Sequence, residues 1–469
     1  MDPPAGGPLG RTNVTNWRTL RPSALRRTAQ PEPNLVVESR EQLVYLLSQA
    51  CELEHGLMCE YLFAQFSLKR STDEGVTEEQ LARIQAWESA IIGVEMQEML
   101  HLALATNLLT SLGAPPHFHR PNFPILSGWY PPGVQIALVP FGERALRHFI
   151  YLERPEGFEV EDADGFLALS HAEPLMLEGS LMAVEEHWST VGHLYRGIES
   201  GLEHLVERYG EQEVFIGSRR AQARWQAFQW AEISPITNLA SARAAIEHIV
   251  EQGEGARGDW RDAHFGIFVG ILEELRAMRK ADPSFVPGRN VEPAYVHPPD
   301  DATGPVTMLT NLLAAEVSDL FDATYETMLQ ALTRYFVHAT ESNAQVTTLA
   351  WTAKRLMRRA LKPLGVCLTT LPVGPEDGPR AGPTFTMVPP TFYLLPHRDA
   401  AWHVLRHRIG QLAERAEALS SGTLPALPAL PALAQVAADL RTIEARVVAD
   451  MPVREEAAGE PPPLVPHGA

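Results

Sequence analysis

The chain is short of cysteine. Its 469 residues hold three thiols, Cys51, Cys59 and Cys367, and no C-x-x-C pair. That argues against a disulfide framework or a thiolate zinc site and fits a reducing cytoplasm. No apolar run is long enough to span a bilayer, and no signal-peptide core stands near the start, so no membrane association is expected. Positive charge is also scarce: 39 Lys and Arg face 58 Asp and Glu, a net charge of −19. An acidic surface repels phosphate backbones, so nucleic acid is not an expected partner. There is no P-loop, dinucleotide fingerprint or G-x-S-x-G. What remains is 45% hydrophobic and 21% charged, a globular balance in a chain long enough for one large helical body or several domains.

The most informative stretch is Glu98-Met99-Leu100-His101. At helical spacing one face reads Ile91, Val94, Glu98, His101, Ala105, Leu108. All are apolar except the carboxylate and the imidazole. Burying an unpaired carboxylate costs several kcal/mol. Glu-x-x-His at i, i+3 is also the ligand pair of two-metal carboxylate sites in bundle cores. Residues 41–70 form a second long helical pattern. Leu46, Leu47, Ala50, Leu57, Met58, Tyr61, Leu62 and Gln65 fill one broad side, with Glu54 inside it. Taken alone, an E-x-x-H is more often surface carboxylate and core histidine than ligand pair. Two apolar faces, each with a carboxylate near its centre, bring the two readings to parity.

Residues 1–34 read as a disordered or draped basic arm, with Arg11, Arg18, Arg21, Arg26 and Arg27 able to dock on an acidic body. Two long helices fill 35–112 and end at Gly113-Ala114-Pro115-Pro116. Residues 114–160 are rich in proline and aromatics and read as an extended excursion with short strands. A helix is expected over 180–209, its apolar face Val184, Trp188, Val191, Tyr195, Ile198, Leu202 and Leu205. Glu199 lies on the edge of that face and His193 nearly opposite. A helix over 239–252 is interrupted by "QGEGARGD" and resumes near Trp260, with His264, Phe268, Ile271 and Leu275 on one face. Further helices are expected over 306–338, 343–365, 399–420 and 433–450. "LPALPALPAL" is too proline-dense for helix and reads as an extended strap, and 451–469 as a disordered tail.

The segments "ELEHGLMCEYLFAQFSLK", "EMQEMLHLALATNLLTSLGAPP", "RPNFPILSGWYPP", "LVPFGERALRHFIYLERPEG", "VGHLYRGIE" and "IVEQGEG…HF" resemble the ferritin-like domain family of the iminophenylpyruvate dimer synthase of violacein biosynthesis. The resemblance covers roughly 35–290. Residues 300–450 are a C-terminal helical region, of which 300–420 resembles longer members more weakly. The resemblance implies a mostly α fold, a ferritin-like four-helix bundle. It carries over Glu54 from the first helix and Glu98 with His101 from the second, with Glu95 as an extra candidate. The third helix offers His193 or Glu199, and helical phase favours Glu199. The fourth element supplies Glu254 and His264, ten residues apart, which a turn through the glycines must bring together.

Carboxylates and imidazoles without thiolate suit iron, as two ions, with manganese or zinc as alternatives. Tyr61 and Tyr195 could donate to such a site, although core packing is the more common role. His117, His119, Trp129 and Tyr130 in the excursion could face a pocket. Met96 and Met99 read as packing, and Cys51 and Cys59 as small buried residues. The expected function is a non-haem metalloprotein of the cytoplasm, an O2-dependent oxidoreductase acting on a small aromatic or amino-acid-derived molecule of secondary metabolism. The alternatives are a non-enzymatic metal-binding or storage protein and a pathway scaffold with a vestigial site. The sequence leaves the oligomeric state open, a homo-oligomer included.

Overall fold

A computed structural model gives the fold and describes residues 26–27, 35–125, 135–166, 187–255, 260–299, 306–338, 340–376, 378–388, 394 and 396–452. Two long helices form its spine. Helix α1 (Arg40–Ser67) starts at Ser39, whose hydroxyl accepts from the Gln42 amide. Helix α2 (Glu78–Ser111) starts with a reciprocal Thr77–Gln80 capping box. It stops before Gly113, whose φ of +86° favours glycine. The two run antiparallel, since Gln65 bonds Glu88 at one end while Glu54 meets His101 nearer the other.

Around the spine, α3 (Glu143–Leu152) packs on α8 (His264–Ala281). Helix α4 (Val191–Tyr209) packs on α1 and on α7 (Leu239–Gly253), and both α7 and α8 rest on α2. Two single turns, α5 (Glu211–Val214) and α6 (Trp225–Phe228), link α4 to α7. Gly56 allows the 135–137 segment to lie directly on α1, where an added methyl would press on Ile136.

A second layer covers the other side of α1. It holds α9 (Leu312–Val337), α10 (Asn343–Leu356), a π-turn at Met357–Leu361, α11 (Lys362–Leu368), α12 (Arg398–Ser421) and α13 (Ala434–Asp450). Gly365 of α11 abuts the Phe66 ring so closely that a side chain there would overlap it. Beside this contact β3 (Val291–Tyr295) pairs in parallel with both β4 (Thr307–Met308) and β5 (Arg380–Gly382). One hydrophobic cluster runs through both layers, so α1 is buried on all sides from Leu53 to Tyr61.

The 114–160 stretch differs from its expected extended form, because it contains α3. Ala145, Leu146, Phe149, Ile150 and Leu152 are buried on one side of that helix, and prolines flank rather than interrupt it. The third helix begins at Val191 rather than 180: residues 187–190 are not helical, with Thr190 as the cap, and 180–186 lie outside the described residues. Trp129 and Tyr130 lie outside them too, as do most of the 1–34 arm and residues 453–469. Of the arm, β1 (Arg26–Arg27) pairs antiparallel with β2 (Phe158–Glu159). Met96 is 50% exposed rather than packed. "LPALPALPAL" runs without α-helix between α12 and α13, with a short 3₁₀ turn at Pro431–Leu433. Among the described residues no helix is long and apolar enough to cross a membrane.

Candidate metal centre

The apolar face of α2 delivers Glu98 and His101 to the centre of the bundle, both at most 2% exposed. Glu54 of α1 faces them. The first residue of α8, His264, enters from the far side and is fully buried. Donor atoms of Glu98, His101 and His264 all lie within 4.8 Å of one another. Glu98 stands between the two rings: its Oε1 is 2.8 Å from His264 Nδ1 and its Oε2 is 3.7 Å from His101 Nδ1. Glu54 Oε2 is 3.6 Å from His101 Nδ1, and Glu153 Oε1 is 3.3 Å from His264 Nδ1.

The arrangement has two similar halves sharing Glu98. In one, Tyr195 donates its hydroxyl to Glu54 Oε1 at 2.6 Å, and His101 donates Nε2–H to Gln252 Oε1 at 2.9 Å. In the other, Tyr61 donates to Glu153 Oε1 at 2.5 Å, and His264 donates Nε2–H to Gln97 Oε1 at 2.9 Å. An amide oxygen can only accept, so each ring commits its Nε2 proton outward and turns Nδ1 toward the carboxylates.

The electrostatics are those of anions without a fixed cation. No Lys or Arg is among the described partners of Glu54, Glu98 or Glu153. Burial, reinforced by Glu98, pushes Glu54 up to about 8. Burial would push Glu98 up as well, but the His264 and His101 imidazoles outweigh it and hold Glu98 well below the usual carboxylate range. Burial opposes charge on His264, yet Glu153 and Glu98 draw it up to about 9; Glu98 and Glu54 likewise raise His101 well above its ordinary value. Glu98 Oε2 is buried and has no hydrogen-bond partner. A buried carboxylate oxygen without a donor, 3.7 Å from one imidazole on a carboxylate whose other oxygen meets a second, is what a bound cation satisfies in exchange for the imidazole protons. The donor set fits a metal.

Residues 47–273 match the family model described as Ferritin-like. Those residues form a ferritin-like domain. The chain is 26% identical over 412 residues to dichlorochromopyrrolate synthase of Lentzea aerocolonigenes, which covers 81% of this chain and 39% of that protein. It is also 26% identical over 413 residues to 2-imino-3-(indol-3-yl)propanoate dimerase of Chromobacterium violaceum, covering 83% and 38%. The chain thus spans less than two fifths of the length of these relatives. A solved ferritin-like protein from Caulobacter vibrioides aligns at 19% identity and a TM-score of 0.41, over 65% of this chain and 89% of that one.

Of the expected ligands, the ferritin-like domain brings together Glu54, Glu98, His101 and His264. Glu199 does not join them. It points outward, with its side chain 37% exposed and 3.4 Å from Arg243. It lies at the edge of the α4 face, and that edge opens to solvent. His193 is buried, and its Nδ1 accepts from the Ser189 amide. What α4 contributes instead is Tyr195. Glu254 lies nearby but is bound to backbone amides, so it too is outside the set. Glu95 is buried on the side of α2 that faces Lys362, Glu88 and Arg70. His117 pairs with Glu52 at 2.7 Å. Sequence reasoning missed Glu153, the residue that ends α3.

Proposed function

We propose that Glu54, Glu98, His101, Glu153 and His264 hold two iron ions and that the protein is an O2-dependent oxidoreductase of secondary metabolism. Its substrate would be a small aromatic or amino-acid-derived molecule, such as an indole-bearing imino acid. The observation that carries the reading is Glu98, set between two imidazoles with one oxygen unpartnered. Oxygen and imidazole donors favour iron or manganese over softer-ligand metals. The curated relatives, named for an indolyl imino-acid dimerase and a dichlorochromopyrrolate synthase, support the substrate class.

Bound iron would supply one-electron steps with dioxygen as the oxidant. The protein's own part is positional. Tyr195 holds Glu54 Oε1 and leaves Oε2 toward His101, whereas Tyr61 and His264 Nδ1 share Glu153 Oε1. Gln252 and Gln97 fix the ring tautomers. Metal uptake displaces protons from the raised groups, so binding strengthens as pH rises. The apolar residues around the centre keep bulk water from it.

The test is an anaerobic Fe(II) titration followed by oxygen uptake. The imino acid from enzymatic tryptophan oxidation serves as the trial substrate. Two Fe(II) per chain and substrate-stimulated oxygen uptake support the reading. Two Fe(II) with no uptake on any aromatic imino acid favour a metal-binding protein without turnover.

A further inference from the structure

Glu254 carries a family motif yet turns its carboxylate away from the other donors. Its Oε1 accepts the Gly192 amide at 2.8 Å, and its Oε2 accepts the Glu156 amide at 3.1 Å. One buried side chain at the end of α7 therefore ties down two segments. The first is the opening turn of α4, where Gly192 follows the Thr190 cap by two residues. The second is the turn after α3, which begins at Glu153. That turn is tight: Gly157 has φ +83°, and the Phe158 amide bonds the Pro155 carbonyl. Arg196 of α4 grips the same turn through Glu156, at 2.6 and 3.2 Å.

Two details connect this clamp to the centre. A side chain at Gly253 would lie 3.3 Å from Glu153 Oε2, so the end of α7 is against that carboxylate. A methyl at Gly192 would overlap the Glu254 carboxylate, so the absence of a side chain there makes the clamp possible. Glu153 is the C-cap of α3: its amide still bonds the Phe149 carbonyl, but no helical turn follows it to hold the chain beyond. A carboxylate at a helix end can drift by the ångström that metal affinity does not tolerate.

We infer that Glu254 is a positioning residue. It fixes the 153–157 turn and thereby holds Glu153 against His264, rather than binding metal itself. The inference rests on the two-ion reading above. It explains why Glu254 and His264 share a motif at a spacing that does not suit paired ligands: one presents an imidazole, and the other anchors the carboxylate opposite.

The test uses the full chain, Co(II) as probe, and Glu254→Ala, Glu254→Gln and Gly192→Ala variants. The two Co(II) steps are assigned by which is lost in His101→Ala and which in His264→Ala. A positioning role predicts that Glu254→Ala and Gly192→Ala both weaken the His264 step by about 10- to 100-fold and leave the His101 step within about threefold. Glu254→Gln, which keeps an oxygen for one amide, loses less. In the metal-free protein, amide exchange at 156 and 192 speeds up in Glu254→Ala. A direct ligand predicts the reverse pattern: Glu254→Gln as damaging as Glu254→Ala, and Gly192→Ala harmless, which overturns the inference. Wild-type Co(II) binding with all three variants unaffected overturns it alone. Wild-type protein that binds no Co(II) overturns the two-ion reading and this role with it.

Discussion

Helix α1 carries two buried polar clusters on neighbouring residues, and they are built in opposite ways. Glu54 faces the bundle, where three carboxylates and two imidazoles meet without a Lys or Arg among their described partners. His55 and Cys59 face the second layer, where the charge is a cation. Arg120 is fully buried, and no carboxylate is among its described partners. It donates to the Phe385 carbonyl at 2.7 Å, the Pro121 carbonyl at 2.9 Å and the Tyr325 hydroxyl at 3.3 Å, and lies 4.1 Å over the Phe123 ring. Tyr325 also bonds His55, which burial and then Arg120 hold well below its usual value, so the ring stays neutral. A buried guanidinium can be met largely by carbonyl dipoles and aromatic faces, because it offers five donors over a plane; here the two terminal nitrogens are bonded and Nε is left without a hydrogen-bond partner. Clustered carboxylates cannot be satisfied by neutral groups alone. The first cluster has a donor set that fits a cation, and the second already owns one.

Breaking each cluster should therefore give opposite signatures. Glu98→Ala with His101→Ala should reduce bound metal to near zero by elemental analysis, while far-UV circular dichroism stays helical. Apo stability should hold or rise, because buried charge is removed. Wild-type metal content in the double variant would remove the site assignment. Arg120→Ala should do the converse. It strands Tyr325 and the Phe385 carbonyl and opens a cavity, at a cost of about 3–5 kcal/mol in denaturant unfolding. Metal per folded chain should not change.

A third cluster sharpens the comparison because its cation can be removed by pH. His148 Nδ1 is 2.9 Å from Asp162 Oδ1 and its Nε2 is 3.3 Å from Glu60 of α1; Phe166 stacks on the ring at 3.6 Å. Burial opposes charge on this ring, but Glu60 and Asp162 prevail and raise it to about 9 from 6.5. A raised folded-state value gives stability that is complete below the unfolded value and disappears as pH climbs through the folded one. Wild type should exceed His148→Gln by about 2–3 kcal/mol at pH 6, with the gap closing by pH 10. A pH-independent gap would mean the ring acts by packing alone. The smallest effect should come from the phenols. Tyr61→Phe and Tyr195→Phe should each weaken metal about tenfold, in one half of the centre only.

What the sequence revealed follows from how each residue is held. Glu54, Glu98, His101 and His264 were legible because each interrupts an apolar helical face. Tyr61 fell on the Glu54 face and Tyr195 on the apolar face of α4, where packing was the more common explanation. Glu153 gave no such signal: it ends a ten-residue helix inside a proline-rich stretch, and a helix end has no face to interrupt. Glu199 was misread because phase alone cannot tell the edge of a buried face from the start of an exposed one, and Arg243 lies beyond that edge. The Arg120 cluster was not legible, since its partners stand up to 265 residues away.

The all-round burial of α1 has a consequence for synthesis. The bundle side of α1 meets α2 soon after translation, but its other side waits for Tyr325, 270 residues after His55. At about 5–20 residues per second that is about 15–55 s during which an apolar helix face has no cover. Until the second layer docks, that face is exposed apolar surface of the kind that chaperones hold and aggregation exploits.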